Sequence, residues 1–321
     1  YIRGVEPIIS GPEGQKVSSR YLGLNRNKKS VSLDLRDHRC KAAFQRMVVE
    51  SDVLLDNWGP GALRRLGLSY DVLSELNPGL IYASLTGYGD PDGPAPGPYS
   101  NWPAHNPCVQ GMGGWMNVTG SPGDVPQLVG DNIGDSVPAV WTALGIMFAL
   151  ESRRNTGQGQ YIDMSMYDCM VAHNTSAMPF YQATGRVAGR ERSNVPSAQL
   201  TLQAKDGYVV LAGASGPEKW IALWRLIGRD DLLADPRYLG DEFSDEFFQT
   251  FVVPAVEQWT KQILKVDVVR QFIDIGFSMG IVQDQADLDR CPHLEARGMF
   301  VDVGTEVGGT FRTVNTPIKI A

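Results

Sequence analysis

Apolar positions change their period several times along the chain, and the changes divide it into elements. Ser30 to Leu35 alternates between polar and apolar residues as a strand does. Asp37 stands at a helix N-cap position, ahead of an amphipathic run that reaches about Glu50. Asp52 to Asp56 is short and largely apolar, which predicts a buried strand. Asn57-Trp58-Gly59-Pro60-Gly61 is a turn cluster that opens a short helix at Ala62 to Arg65. Tyr70 to Leu76 predicts another helix, stopped by Asn77-Pro78-Gly79, and Leu80 to Leu85 a further strand. Strand, helix, strand, helix, strand in this order predicts an α/β fold with a parallel, Rossmann-like sheet.

The stretch from Gly87 to Gly134 has weak periodicity and is rich in Gly, Pro, Asn and Trp. So long an irregular segment inside a compact protein is usually functional. From Val137, apolar residues recur at Val140, Trp141, Leu144, Met147 and Phe148, predicting a helix with one buried face that ends at Gly157 to Gln160. Tyr161 to Met166 leads into a second helix, and the Arg-rich connector Gly185 to Asn194 marks a boundary. Beyond it, Gln199 to Gln203 and Tyr208 to Ala212, joined across Ala204-Lys205-Asp206-Gly207, predict a hairpin. Helices follow near Glu218 to Ile227, Phe247 to Lys261 and Val266 to Ile275, with strands near Met279 to Val282 and Met299 to Val303. The expected organisation is a large α/β domain over residues 1–190, a smaller α+β domain over 191–300, and a return towards the large domain over 301–321.

Composition narrows the function classes. A chain of 321 residues with a hydrophobic fraction of 43% can build substantial cores. Its net charge of −7 and scattered basic residues argue against a nucleic-acid groove or a polybasic membrane surface. No uninterrupted apolar run of about twenty residues is visible, so no spanning helix is expected. Cys40, Cys108, Cys169 and Cys291 are far apart and lack paired metal spacing, which points to a reducing, cytoplasmic setting without a disulfide framework or a zinc site. The chain opens at Tyr1 without Met and stops at Ala321 after a strand-like stretch, so truncation at both ends is expected.

The residue that most needs a chemical account is Asp135, in Gly134-Asp135-Ser136 directly before the long helix. By itself the tripeptide reads as a helix cap, with Pro138 in the first turn. The same placement suits a nucleophile, because N–H groups at a helix start stabilise a carboxylate and can hold the oxyanion formed when it attacks a carbonyl. His105 reads by itself as a loop or hydrogen-bonding residue. Trp102 and Trp115 lie in the same irregular segment, where they pack a long loop or attract a cationic acid through their ring faces.

An ordered series of motifs carries a resemblance. It runs Asp34-Leu35, Ser51-Asp52-Val53-Leu54-Leu55-Asp56-Asn57-Trp58-Gly59-Pro60-Gly61, Leu76-Asn77-Pro78-Gly79-Leu80-Ile81-Tyr82-Ala83-Ser84 and Gly87-Tyr88-Gly89. Gly134-Asp135-Ser136 and Thr156-Gly157-Gln158-Gly159-Gln160-Tyr161-Ile162-Asp163-Met164-Ser165-Met166 complete it. In this order the series resembles the family III CoA-transferases, over most of the chain.

The resemblance implies that Asp135 attacks an acyl-CoA thioester and then carries CoA as an aspartyl thioester until a carboxylic acid takes it, with no metal or ATP. It implies CoA contacts at Leu33, Arg36, Asn57, Trp58, Arg65 and Met166, with Arg36 and Arg65 able to meet phosphates. It also implies a glycine-bearing loop at Gly213 and Gly216 over the intermediate, an interlocked homodimer, and a first strand and glycine turn ahead of Tyr1. His105 with Asp135 further resembles the pair that moves the α-proton in the sister α-methylacyl-CoA racemases, a 2-methylacyl-CoA epimerase reading that remains open. Ala212-Gly213-Ala214-Ser215-Gly216-Pro217 offers glycine where those racemases carry glutamate. A third reading is a non-catalytic or partner module of a longer two-module chain.

Overall fold

The computed structural model describes residues 2–11, 14–190, 198–214, 217–235, 247–305 and 308–320. Internal contacts divide the chain into two units, Tyr1–Ser30 together with Val195–Ala321, and Val31–Asn194. The chain opens with an antiparallel pair, β1 (Ile8–Ser10) and β2 (Lys16–Ser18), followed by helix α1 (Ser19–Leu24).

The Val31–Asn194 unit holds the parallel sheet. Residues 30–35, expected as a strand, are irregular. Asp34 supplies the reason: its carboxylate accepts the Arg36 N–H at 3.1 Å and its carbonyl the Asp37 N–H at 2.9 Å, which closes a turn. Asp37 then caps α2 (His38–Val49), accepting from the N–H groups of Arg39 and Cys40 as its position predicts. Next come β3 (Val53–Asp56), α3 (Ala62–Arg65), α4 (Tyr70–Leu76) and β4 (Ile81–Thr86).

The irregular segment is more ordered than its pattern suggests, since it contains α5 (Asn106–Met112) and α6 (Trp115–Val118). Both are too short for a periodic signal to register. The long helix α7 (Ile133–Thr156) begins four residues before its apolar period, with Asn132 at the N-cap position. Asp135 therefore lies inside the first turn and is not its cap. Pro138 stands beyond that turn, where its missing N–H leaves the Gly134 carbonyl without its helical partner. Strand β5 (Tyr161–Ser165) and helices α8 (Met166–Ala172) and α9 (Ala177–Thr184) complete the unit.

The sheet order is β3-β4-β5 with both pairings parallel. One face packs on a core of Leu35, Val48, Leu63, Leu68, Leu73, Leu80 and Tyr82. Helix α7 lies against β4 and β5, but the apolar face expected to be buried is exposed at Val140, Met147 and Phe148, the buried positions being Gly134, Pro138, Thr142 and Ala149. By length and composition α7 is also apolar enough to cross a membrane, with a mean hydropathy of 1.5 over 18 residues. The sequence pattern hides this because polar residues interrupt the run.

The other unit has its own core. Strands β6 (Ala198–Ala204) and β7 (Gly207–Ala214) form the hairpin foreseen across Lys205 and Asp206, and β8 (Ser278–Ile281) pairs antiparallel with β7. Helices α10 (Pro217–Leu226), Val253–Thr260 and Lys265–Asp274 cover them, burying Trp220, Trp224 and Phe272. Strands β9 (Phe300–Gly304) and β10 (Thr310–Val314) form a separate antiparallel pair.

Candidate functional site

Two helix starts meet in the Val31–Asn194 unit. His105 occupies the N-cap position of α5, in extended backbone, and Asp135 the first turn of α7. The helices touch at Gly134, where a Cβ would come within 2.8 Å of the Asn106 carbonyl oxygen, Asn106 Oδ1 and Val109 Cγ2. Glycine is thus required for the approach that brings His105 and Asp135 into electrostatic range of each other. Burial pushes the Asp135 carboxyl above its ordinary range, and the charge of His105 pulls it part of the way back. In the isolated chain the Asp135 side chain still reaches solvent.

The first-turn N–H groups of α7 are committed. Gly134 N–H goes to Asn106 Oδ1 at 2.8 Å, and the Asp135 and Ser136 N–H groups go to the Asn132 carbonyl at 3.0 and 2.9 Å. The oxyanion role foreseen for these donors therefore does not fit this geometry. Asn106 and Gln110, which link the two helices, were missed in the sequence. Their spacing of four places them on one helical face, but nothing local in the sequence signals the contact with α7.

The residues matched to CoA contacts are spread over three places in the same unit. Leu33 packs against the core that contains Leu63 of α3. Arg36 is exposed and held by Asp34 through Nε at 2.9 Å and Nη2 at 3.0 Å. Exposed pairs of this kind are worth little, so a phosphate can compete for the guanidinium. Asn57 and Trp58 follow β3, and Trp58 is 48% exposed. Arg65 ends α3 and donates from Nη1 to the Pro60 carbonyl at 2.8 Å. Met166 opens α8, where the next residue donates its N–H to the Gly87 carbonyl at 3.0 Å. Gly213 lies on β7 in the other unit, and Gly216 lies outside the described residues.

A cavity of about 280 Å³ opens beside the turn at Gly59 and Gly61, with Asp56, Arg64, Tyr70, Tyr82, Asp90 and Tyr161 in its lining. Tyr161 Oη donates to Asp90 at 2.5 Å, and Tyr82 is hydrogen-bonded to Asp56. Arg64 reaches Asp90 at 3.3 Å and Asp92 at 3.1 Å. Burial pushes Asp56 and Asp163 above the usual carboxylate range. So many carboxylates around one guanidinium make the cavity a poor receptor for a phosphate. Among the described residues, no group of three or more His, Cys, Asp or Glu side chains is placed to hold a metal ion.

Comparison with known proteins names the family to which this fold belongs. The model of CoA-transferase family III matches residues 2–321, and the chain belongs to that family. It is a CoA-transferase. The succinyl-CoA:mesaconate CoA-transferase of Haloarcula hispanica is 31% identical over 322 residues, covering 99% of this chain and 80% of the relative. The acetyl-CoA:oxalate CoA-transferase of Acetobacter aceti is 33% identical over 319 residues, covering 97% of this chain and 78% of the relative. Among solved structures, a CaiB/BaiF family protein from Brucella suis superposes with a TM-score of 0.87 at 31% identity, covering 100% of this chain and 82% of that one. Resemblance to named transferases over nearly the whole chain sets aside the non-catalytic reading.

Proposed function

We propose that this CoA-transferase moves CoA from an acyl-CoA donor to a carboxylic acid through Asp135. The observation that carries the reading is the single carboxylate in the first turn of α7, within electrostatic range of His105. The Asp135 carboxylate attacks the thioester carbonyl; the carbon–sulfur bond breaks, leaving a mixed anhydride and CoA thiolate. The thiolate attacks the aspartyl carbonyl of the anhydride, releasing the donor carboxylate and forming an aspartyl-CoA thioester. An acceptor carboxylate displaces the thiolate to give a second anhydride, and the thiolate then takes the acceptor acyl group and frees Asp135. Each step exchanges one acyl bond for another, so the thioester energy is retained.

Leu33, Arg36, Asn57, Trp58, Arg65 and Met166 are assigned to CoA, with the two guanidinium groups serving the phosphates. Gly213 and Gly216 keep the assignment that the family resemblance gives them, a glycine-bearing loop over the intermediate. The substrates for which the two relatives are named, an acyl-CoA with mesaconate or oxalate, support a carboxylic acid acceptor. A homodimer is supported by the apolar face of α7, where Val140, Met147 and Phe148 are 70%, 61% and 67% exposed in the single chain. The enzyme is assigned to the cytoplasm, and the net charge of −7 supports the absence of a nucleic-acid or polybasic membrane surface.

Asp135→Ala abolishes transfer, and a hydroxylamine-sensitive adduct forms on Asp135 when the parent meets acyl-CoA. An unchanged rate in the variant, or no adduct in the parent, refutes the reading. The proximity of His105 favours a second one, racemisation of a 2-methylacyl-CoA by the same pair. Exchange of the α-proton in deuterated water, with no acceptor acid present, separates the two.

A further inference from the structure

We propose that Asn106 and Gln110 are positioning residues that fix the Asp135 carboxyl relative to His105. The inference deepens the proposed function and rests on Asp135 as the acyl acceptor. Asn106 Oδ1 accepts two hydrogen bonds, from Gly134 N–H at 2.8 Å and from Gln110 Nε2 at 2.8 Å. Gln110 Oε1 accepts the Val129 N–H at 2.9 Å. The relay thus starts in the segment entering α7, crosses α5 and ends on the residue beside Asp135.

Its parts are matched to one another. Gln110 is 0% exposed and Gly134 is buried, so breaking either link orphans a buried polar group. Only an oxygen accepts both donors, so the Asn106 amide is fixed with Oδ1 towards Gly134 and Nδ2 towards Asn132 Oδ1, 3.5 Å away. Val109 and the Asn106 backbone fill the space where any side chain on residue 134 would go. The relay acts through the backbone of α7, one residue from the carboxylate. It sets where the Asp135 carboxyl points without entering the chemistry.

The test is steady-state kinetics on Asn106→Leu, Gln110→Leu and Asn106→Asp, with thermal melts to confirm folding. Both leucine variants lower kcat by about 100-fold, the loss associated with roughly 1 Å of misplacement. KM for acyl-CoA stays at the parent value, because the residues assigned to CoA lie elsewhere. Asn106→Asp keeps an oxygen for both donors, so it retains far more activity, and its added charge moves the acidic limb of the kcat profile to higher pH. The proposal is overturned if the leucine variants keep the parent kcat, if KM rises while kcat holds, or if Asn106→Asp falls as far as Asn106→Leu with no displacement of the pH limb. Where a leucine variant fails to fold, Asn106→Asp still decides through its pH limb. Failure of the acyl-acceptor reading is seen separately, as absence of an Asp135 adduct in the parent. The relay is then judged by α-proton exchange, which the same variants must lower.

Discussion

Gly134→Ala is the sharpest perturbation of the site, because Gly145 in the same helix supplies its control. A Cβ on residue 134 meets the Asn106 carbonyl oxygen, Asn106 Oδ1 and Val109 Cγ2, each at 2.8 Å, a separation real Cβ atoms do not tolerate. A Cβ on residue 145 meets Ile162 and Met164 at 3.6 to 3.9 Å, which is ordinary contact. Both substitutions gain about 1 kcal/mol of helix propensity. At residue 145 nothing opposes the gain, and Gly145→Ala is expected to stabilise the protein by about 0.5–1 kcal/mol. At residue 134 two of the obstructing atoms are the Asn106 carbonyl and the relay oxygen, so α5 and α7 must separate at a cost of about 1–3 kcal/mol. The net effect there is a loss of up to about 2 kcal/mol. Separation also moves Asp135 away from His105, and about a 100-fold fall in kcat follows for 1 Å of displacement. Urea unfolding of both variants measures the first quantity and initial transfer rates the second. If Gly134→Ala is as stable and as active as Gly145→Ala, the argument for a forced close approach fails.

Three further outcomes follow from other parts of the structure. Burial raises the Asp163 carboxyl, so its favourable contribution is fully present below its unfolded value and is lost as pH rises through the folded one. Asp163→Asn keeps an acceptor for the Asp90 N–H, and its melting temperature relative to the parent should climb between pH 4 and pH 7; a flat difference contradicts the sign. Trp58 is 48% exposed, so Trp58→Ala should leave thermal stability unchanged while weakening CoA binding by up to about tenfold, read by calorimetry. Phe148→Asp places a charge on the exposed face of α7 and should shift the sedimentation coefficient from dimer to monomer; a monomeric parent removes the case for that interface.

Periodic elements were legible in the sequence because single side chains report them. Asp37 marked the start of α2, Ala62–Arg65 and Tyr70–Leu76 match their expected bounds, and the turn at Lys205 and Asp206 announced the β6–β7 hairpin. Ser30 to Leu35 misled because alternation describes side chains, whereas a strand requires a paired backbone, and Asp34 diverts that backbone into a turn. Asp135 was singled out through its motif, yet its place within the helix was misjudged: Ile133 already continues the apolar period of Val137 and Val140, but Gly134-Asp135-Ser136 reads as a cap. The relay through Asn106 and Gln110 depends on a contact between segments about thirty residues apart, which no local pattern encodes.

The chemistry of the parallel sheet explains how an irregular segment delivers His105 to a defined place. Strands buried on both faces are normally apolar throughout. Here Asp56, Ser84 and Asp163 stand in register across β3, β4 and β5, with Tyr82 opposite Tyr161 in the row before them. Such residues on a covered face are costly unless each is bonded. Their partners belong largely to the segment after β4: Asp163 accepts the Asp90 N–H at 2.9 Å, and Tyr161 donates to the Asp90 carboxylate. Ser100 Oγ then donates to the Tyr88 carbonyl at 3.2 Å and accepts the Gly97 N–H at 2.9 Å, closing the segment on itself. A Cβ on Gly87 would collide with that of Ala104, the neighbour of His105, so the segment returns to its own root before α5 begins. The polar row thus spends sheet stability on anchoring the loop, and the anchored loop places His105 at the N-cap of α5, the helix that meets α7 at Gly134.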